Sequence, residues 1–252
     1  MPRAARMRSK TGIYHIILRG INKQTIFEDE EDRERFIQTL GEYKEKSEYK
    51  IYAYCMMGNH IHILMKEEKE DLGIVIKRIG ASYVYWYNWK YDRTGHLFQD
   101  RYKSEVVEDN KYLLTALRYI HQNPLKSGIV KGIQEYKWSS YTEYIGKEKI
   151  VDIDFILDIF NNDRKRAISQ FEEFHKEEGI IECLDIDEKR RIKDVEAIEI
   201  IKNTCNIIHC IDIQKVNKVD RDKYLKIIKE QGLSTRQIAR LTGISRGIVL
   251  KL

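Results

Sequence analysis

The sequence predicts an α+β fold: a ferredoxin-like antiparallel sheet with helices on one face, followed by an all-α C-terminal region that ends in a helix-turn-helix. Four segments rich in β-branched and aromatic residues occur before residue 110. Two segments with helical periodicity separate them, in the order β-α-β-β-α-β that is typical of a split βαβ sheet. Beyond about residue 150 the strand signals give way to charged helical patterns.

The first half of this domain is easily divided into elements. A strand is predicted from about Gly12 to Arg19, and the following EDEEDRERFIQTLGEYKEK predicts a helix with Phe36 and Leu40 on its apolar face. KIYAYCMM and HIHILMK predict two further strands. Gly58-Asn59 between them predicts a tight hairpin, since both residues favour turns.

The second half predicts helix, strand and helix. DLGIVIKRIGASYVYWYNWKY indicates a helix with Ile79, Tyr83 and Trp86 facing the core, and GHLFQDRYKSEVVED indicates the fourth strand. NKYLLTALRYIHQNP predicts a helix that stops at Pro124, because the residue before a proline disfavours helical angles. The domain is expected to close near Gly146, so we predict a domain over residues 1–146 and a helical linker over 147–220.

The last segment, residues 221–252, predicts a helix-turn-helix module. Ser234 and Ser245 are placed to cap two short helices around Thr242-Gly243. The second helix, from Ser245, would be the recognition helix. A plain helical hairpin is the alternative. A small core shared by the two helices is expected from four apolar residues: Ile238, Ile244, Val249 and Leu252.

Composition indicates a folded protein with unevenly distributed charge. Of the 252 residues 34% are charged and 42% hydrophobic, and no apolar run is long enough to cross a bilayer. The start lacks the apolar segment of a secretory signal, so we expect a cytoplasmic, nucleoid-associated protein. The net charge is +5, and basic residues without any acid occupy both ends of the chain: Arg3, Arg6, Arg8, Lys10, Arg19 and Lys23 before Phe27, and Arg236, Arg240, Arg246 and Lys251 after Glu230. These ends suit a polyanion partner; simple solubility is the alternative.

GNHIHILMK places His60 and His62 side by side, because alternate residues of a strand share one face. On the helix before Pro124, Tyr112, Tyr119 and Asn123 share another face, which we expect to be exposed. If that helix lies beside the strand, two imidazoles and the Asn123 amide oxygen make a three-ligand site for a divalent cation. The alternatives are surface histidines in a hairpin and an Asn123 that only ends its helix.

These motifs resemble the HUH-type single-tyrosine transposases of the insertion-sequence-200 superfamily, and most of all the REP-associated tyrosine transposases. The resemblance rests on MGNHIHILM, RYIHQNP, GHLFQDRYKS and WSSY, and spans about residues 8–146. It implies that Tyr119 is the nucleophile, with Tyr112 as the alternative. It also implies that His60, His62 and Asn123 bind Mg²⁺ or Mn²⁺.

The implied reaction is metal-dependent cleavage and rejoining of single-stranded DNA through a 5′-phosphotyrosine intermediate, with recognition of a DNA hairpin. Arg101 and Lys103 on the predicted fourth strand would position the DNA backbone. The tail would add duplex affinity through Arg236, Arg240, Arg246 and Lys251. A homodimer is compatible with this interpretation. The alternatives are a non-catalytic DNA-binding regulator with the same fold, and a rolling-circle nuclease, which the lack of a helicase-like domain disfavours.

Overall fold

The computed structural model describes residues 6–146, 149–177, 183–185, 192 and 194–252. The chain packs into two compact units, Met1–Asp185 and Ile186–Leu252. The boundary predicted after residue 220 falls inside the second unit. The one predicted after residue 146 falls inside the first, next to residues 147 and 148, which lie outside the described part. The three-part division stays a prediction.

The first unit is built on a four-stranded antiparallel sheet with the strand order β2-β3-β1-β4. The strands are β1 (Ile13–Arg19), β2 (Lys50–Met56), β3 (His60–Lys66) and β4 (Lys103–Val107). The hairpin predicted at Gly58-Asn59 is confirmed, because the Met57 amide donates to the His60 carbonyl across those two residues. The four strands were thus predicted correctly, although the fourth is shorter than expected and begins only at Lys103. Arg101 therefore lies in the bend before β4.

The described residues of the first unit also form six α-helices: α1 (Glu30–Ser47), α2 (Leu72–Lys90), α3 (Asn110–Lys126), α4 (Tyr141–Tyr144), α5 (Ile153–Phe160) and α6 (Arg164–Lys176). Asp29 begins α1 through a capping box with Asp32. Helices α1 and α2 pack together. Tyr83 is fully buried there, with its ring centroid 5.8 Å from Phe27 and 5.0 Å from Phe36. Trp86 is partly buried against the same core.

The prediction that the helix before Pro124 stops there is wrong. Helix α3 continues to Lys126 with Pro124 inside it, and the Ser127 amide donates to the Asn123 carbonyl beyond the proline. A proline removes one helical hydrogen bond and crowds the preceding turn. Only the last turn of α3 is affected, and Pro124 itself is buried, so packing keeps this turn helical against the local preference.

The second unit is helical over its described residues. It contains α7 (Asp194–Cys205), α8 (Lys218–Glu230), α9 (Thr235–Thr242) and α10 (Arg246–Lys251). Ser234 caps α9 by accepting from the Gln237 amide, and Gly243 ends α9 in the left-handed region at φ 70°. Ser245 precedes α10 but makes no side-chain capping bond. The two short helices lie where the sequence predicts them, and their assignment as a helix-turn-helix stays a prediction.

The small core predicted for these helices is present. Ile238, Ile244 and Val249 are buried in it, and Leu252 packs partly against it. In the part of the chain that the structure describes, no helix combines the length and the apolar character needed to span a membrane.

Candidate metal and nucleophile site

The candidate site lies where β3 and β1 meet α3. In the antiparallel pairing, Ile17 lies opposite His62 and Arg19 opposite His60. Directly opposed residues place their side chains on the same face of a sheet. His15, two residues before Ile17, shares that face. Helix α3 covers it, since the Asn123 side chain reaches His62.

His62 is held at both ring nitrogens and is 0% exposed. Its Nδ1 lies 3.0 Å from Nε2 of His15, and its Nε2 lies 3.3 Å from Nδ2 of Asn123. Burial, and then the neighbouring His15 and His60, hold the pKa of His62 well below its usual value. The ring is therefore neutral at physiological pH, the state in which a histidine binds a metal.

His60 stands beside His62 at the more open end of the strand. The two ring centroids are 5.0 Å apart, and His60 is partly buried. Its Nδ1 lies 2.7 Å from Oδ1 of Asn59. Because an amide oxygen only accepts, Nδ1 of His60 donates this bond and carries the proton in the neutral ring. Nε2 of His60 then bears the lone pair that a metal requires.

Tyr119 packs with its ring against the same histidines. Its ring centroid is 5.6 Å from that of His62 and 5.9 Å from that of His15. The Nζ atom of Lys126 lies 5.1 Å from the centroid of the phenol ring. The Tyr119 ring therefore lies next to a cation and to a candidate metal ligand, as a nucleophile for a phosphodiester requires.

The expectation that Tyr119 and Asn123 lie on an exposed helical face is wrong. Their side chains are 5% and 7% exposed. Helical periodicity distinguishes the face with Leu113, Leu117 and Ile120 from the face with Tyr119, but both faces of α3 are covered. One is covered by the apolar core. The other is covered by the histidine face of the sheet and by a distant segment of the chain.

That segment is Cys183–Asp185. The Leu184 amide donates to the Glu105 carboxylate at 2.8 Å, and Nζ of Lys103 lies 3.4 Å from the Asp185 carbonyl oxygen. The Asp185 side chain hydrogen-bonds with Tyr119. Burial, and after it the Asp185 carboxylate, raises the pKa of the Tyr119 phenol. In the structure the candidate nucleophile, Tyr119, is thus a neutral phenol hydrogen-bonded to the Asp185 carboxylate.

Tyr112, the alternative nucleophile, is placed differently. Its hydroxyl donates to the Glu105 carboxylate, and the side chain is only partly buried. Seven residues of helix separate it from Tyr119, which corresponds to about 10 Å along the axis. The ring contacts with His62 come from Tyr119 and the other two histidines.

The donor set fits a divalent cation of the Mg²⁺ or Mn²⁺ kind. Both histidines present Nε2, and a half-turn of the Asn123 carboxamide places Oδ1 where Nδ2 lies, 3.3 Å from Nε2 of His62. Neighbouring ligands around such an ion are about 3 Å apart, given bonds of about 2.1 Å. Among the described residues no cluster of three or more His, Cys, Asp and Glu side chains suits a metal. The donor set of His60, His62 and Asn123 differs from such a cluster because its third donor is an amide.

The predicted DNA-contacting residues lie on two surfaces. Arg101 and Lys103 are exposed beside Arg6, whose guanidinium lies 3.6 Å from the Tyr102 ring centroid. In the second unit Arg236, Arg246 and Lys251 are exposed. Arg240 is also exposed but pairs with Asp194 through two 2.7 Å hydrogen bonds. Arg3 lies outside the described residues.

Sequence reasoning missed four residues that the structure brings to the site: His15, Arg19, Lys126 and Asp185. His15 and Arg19 could have been found by pairing β1 with β3, since they are polar residues of an otherwise apolar strand and, four positions apart, share one of its faces. Lys126 was missed because the helix was ended at Pro124. For Asp185 we find no signal in the sequence.

Comparison with known proteins finds similarity over the part of the chain that contains the candidate site. The family model described as "Transposase IS200 like" matches residues 9–123, a range that contains His60, His62, Tyr119 and Asn123. Over these residues, a little under half of the chain, the sequence is similar to the IS200-like transposases.

One curated relative and two solved structures are also similar to this chain. A curated Haemophilus influenzae protein, provisionally named as a REP-associated tyrosine transposase, is 26% identical over 147 residues, which cover 53% of this chain and 81% of the relative. The solved structure of a REP-associated tyrosine transposase bound to a REP hairpin is 17% identical, with a TM-score of 0.49, covering 58% of this chain and 87% of that one. A transposase provisionally assigned in Deinococcus radiodurans has a TM-score of 0.35 at 13% identity and covers 50% of this chain and 97% of its own.

Proposed function

We propose that this protein is an IS200-like transposase that cleaves and rejoins single-stranded DNA through a covalent bond to Tyr119. The observation that carries the proposal is the packing of the Tyr119 ring 5.6 Å from His62, with the Asn123 amide 3.3 Å from the same imidazole. A nucleophile, two imidazoles and an amide therefore lie side by side. A pure DNA-binding module has no need of that combination.

His60, His62 and Asn123 are the proposed ligands of one Mg²⁺ or Mn²⁺ ion. When bound, the ion withdraws charge from the scissile phosphate and so makes the phosphorus easier to attack. The hydrogen bonds at Nδ1 of His60 and His62 support this assignment, because each leaves Nε2 with the lone pair that would bind the metal. Arg19, which lies opposite His60 in the strand register, would contact the same phosphate.

In the proposed step the Tyr119 oxygen attacks the phosphorus in line with the 3′ oxygen of the upstream nucleotide. The new bond joins the tyrosine oxygen to phosphorus, and the bond from phosphorus to the 3′ oxygen breaks. The phenolic proton is lost and the 3′ oxygen is protonated, so the products are a 5′-phosphotyrosine and a free 3′ hydroxyl. Attack by a 3′ hydroxyl on the phosphotyrosine reverses the step and rejoins DNA without a nucleoside triphosphate.

Before this attack the Tyr119 hydroxyl must leave Asp185. The Asp185 carboxylate hydrogen-bonds with the hydroxyl that has to reach the DNA phosphate. The carboxylate and the phosphate are both anions and would repel each other at that point. The Cys183–Asp185 segment is therefore expected to move away from the hydroxyl when DNA binds.

We further propose that the sheet and its helices form the ferredoxin-like nuclease fold and that α9 and α10 form a helix-turn-helix. The exposed Arg101 and Lys103 would contact single-stranded or hairpin DNA near the site. The exposed cations of the second unit, Arg236, Arg246 and Lys251, would contact duplex DNA. Arg240 would join them only where DNA competes with Asp194. A nucleoid location and a possible homodimer belong to the same proposal.

A second candidate function is a DNA-binding regulator that has kept the nuclease fold. The observation that favours it is the burial of Tyr119 together with its bond to Asp185.

An assay for the covalent protein–DNA adduct decides between the two functions. Hairpin DNA carrying a 3′-end label is incubated with the protein and Mn²⁺, and labelled protein is measured after denaturation. The enzyme forms a covalent adduct, and Tyr119→Phe does not, although it keeps the ring and its packing. Tyr112→Phe is the matched control and should retain the adduct. If wild type binds the DNA without any adduct, the protein is a regulator. If only Tyr112→Phe loses the adduct, Tyr112 is the nucleophile.

A further inference from the structure

His15 on β1 lies outside the proposed ligand set and makes a hydrogen-bond contact with His62, one of the ligands. Its Nε2 lies 3.0 Å from Nδ1 of His62, with the two ring centroids 5.2 Å apart. His15 is fully buried, and β1 is an inner strand of the sheet. The contact joins residues 47 positions apart in the chain. It is therefore a feature of the folded sheet.

The hydrogen bonds around His62 decide which of its nitrogens carries the proton. Without a metal, the Asn123 carboxamide directs Nδ2 to His62, and because this nitrogen is a donor only, Nε2 of His62 accepts from it at 3.3 Å. A neutral imidazole with a bare Nε2 carries its proton on Nδ1. Nδ1 of His62 then donates to Nε2 of His15, which must bear a lone pair.

This chain of bonds fixes the second ring as well. With a bare Nε2, neutral His15 carries its proton on Nδ1. That atom is buried and has no hydrogen-bond partner among the described residues. A buried donor without a partner is destabilising, because it has lost its hydrogen bond to water. The arrangement thus satisfies His62 and leaves the unmet bond on His15.

We infer that His15 is a positioning residue that holds His62 in the tautomer with Nε2 directed to the metal. The inference rests on the proposed function and adds to it a residue outside the ligand set. A metal-binding histidine generally donates a hydrogen bond from the N–H of its second ring nitrogen to a fixed acceptor. Loss of that acceptor lowers metal affinity about 10–100-fold. The acceptor is usually a carboxylate, a carbonyl or water; here an imidazole takes its place. Asn59 has the corresponding role for His60, at 2.7 Å.

A neutral acceptor has a specific consequence in this site. A carboxylate in place of His15 would add a negative charge next to the point at which DNA phosphate must bind. An imidazole of the same reach accepts the bond without that charge. His15 therefore orients the ligand while the surroundings stay favourable to a polyanion.

Two substitutions test the inference. His15→Phe keeps the ring volume and removes the acceptor. His15→Gln also changes the residue, but its Oε1 can reach the position of the imidazole Nε2 and accept the bond. We expect the dissociation constant for Mn²⁺, measured by calorimetry, to rise 10–100-fold in His15→Phe. In His15→Gln it should stay within about threefold of wild type, since a single neutral hydrogen bond is restored.

The tautomer is measured on the metal-free protein by long-range ¹H–¹⁵N correlation of the imidazoles. We expect His62 of wild type and of His15→Gln to be protonated at Nδ1. In His15→Phe it should shift toward the Nε2-protonated form. If His15 had only a packing role, His62 would keep the same protonated nitrogen in every variant. His15→Phe and His15→Gln would then also bind Mn²⁺ with similar affinity.

The outcomes separate this inference from the proposed function. Protonation of His62 at Nε2 in the wild type, or Mn²⁺ affinity in His15→Phe equal to that of wild type, overturns the role of His15. If wild type does not bind Mn²⁺ at all, the proposed function fails first and the inference falls with it. If His15→Phe does not fold, the wild-type tautomer and the affinity of His15→Gln still decide: an Nε2 proton or a tenfold loss in Gln overturns the inference.

Discussion

The site between β3 and α3 and the helix pair α9–α10 carry the two sets of residues that the sequence singles out, and the structure treats them differently. His62, Tyr119 and Asn123 are buried, and each is in contact with side chains from elsewhere in the chain. Arg236, Arg246 and Lys251 are exposed on short helices. The first set depends on a precise tertiary arrangement. In the second, charge near the surface is what matters.

This difference predicts how each region responds to substitution. A buried, mutually bonded set should fail as a unit when one member is removed, because its members determine each other's orientation. A group of exposed cations should lose its effect in roughly equal steps, since each phosphate contact acts through the same ionic term.

The largest effect is expected from His60→Ala with His62→Ala. Mn²⁺ binding, measured by calorimetric titration, should weaken at least about 100-fold, because two of three protein ligands are lost. His96→Ala, which removes an exposed histidine outside the site, is the control and should bind like wild type. Equal Mn²⁺ affinity in the double variant and the control would show that the metal does not bind at His60 and His62.

The next effect is expected from neutralising the exposed cations of the second unit. Arg236→Gln, Arg246→Gln and Lys251→Gln together should lower the slope of log affinity for duplex DNA against log salt by about 2.7, at about 0.9 per contact. The adduct with a short single strand should stay near wild type. Removal of everything after Glu230 is a poorer test, since it would expose the buried Leu225 and Ile228.

Arg240→Gln sharpens the same comparison, because Arg240 already pairs with Asp194. We expect a smaller change of the salt slope than for Arg246→Gln, since DNA must first displace the carboxylate. Equal changes would mean that the ion pair does not restrain Arg240. A loss of single-strand cleavage in the triple variant would make the tail part of the active assembly.

Asp185→Asn should have an effect of about tenfold. The Asp185 carboxylate raises the pKa of the Tyr119 phenol, so its neutralisation lowers that pKa and favours the phenolate. Each unit of pKa corresponds to a factor of ten in the phenolate fraction at fixed pH. Adduct formation at pH 7.5 and at DNA concentrations below saturation should therefore become faster. Under these conditions the pH profile reports the pKa of the DNA-free enzyme, and its rising limb should move to lower pH. Asp158→Asn on exposed α5 is the matched control. A slower Asp185→Asn would instead assign the carboxylate to receiving the phenolic proton.

The smallest effect concerns stability and pH. Burial lowers the pKa of His175 to about 4, and it lies between the Phe171 carbonyl and His121. The pKa of the unfolded histidine is near 6.5. The contribution of neutral His175 to the free energy of unfolding is therefore complete above pH 6.5 and is lost as the pH falls toward 4. The loss is about 1.4 kcal/mol per pH unit. Between pH 7 and pH 5 the melting temperature of His175→Gln should fall less than that of wild type. Equal slopes would show that His175 is protonated in the folded state.

Local patterns were enough to predict most elements and the residues from which the candidate site is proposed. Alternation along HIHILMK put His60 and His62 on one face, and β3 has the predicted bounds of His60–Lys66. The spacing of Tyr119 and Asn123 put both residues on one side of α3, and Ser234 caps α9 as expected. These features repeat with periods of two or four residues, so a short stretch of sequence contains all the information that they need.

Long-range packing established what surrounds those residues. It carries α3 through Pro124 to Lys126, covers Tyr119, and brings His15 to Nδ1 of His62 and Asp185 to the phenol. The contacts of His15 and Asp185 join positions far apart in the chain, and their energies depend on burial that no local period records. Spacing along the chain was enough to identify which side chains could act together. Their protonation, their exposure and their partners came from the folded structure, because these follow from the dielectric and the neighbours of each group.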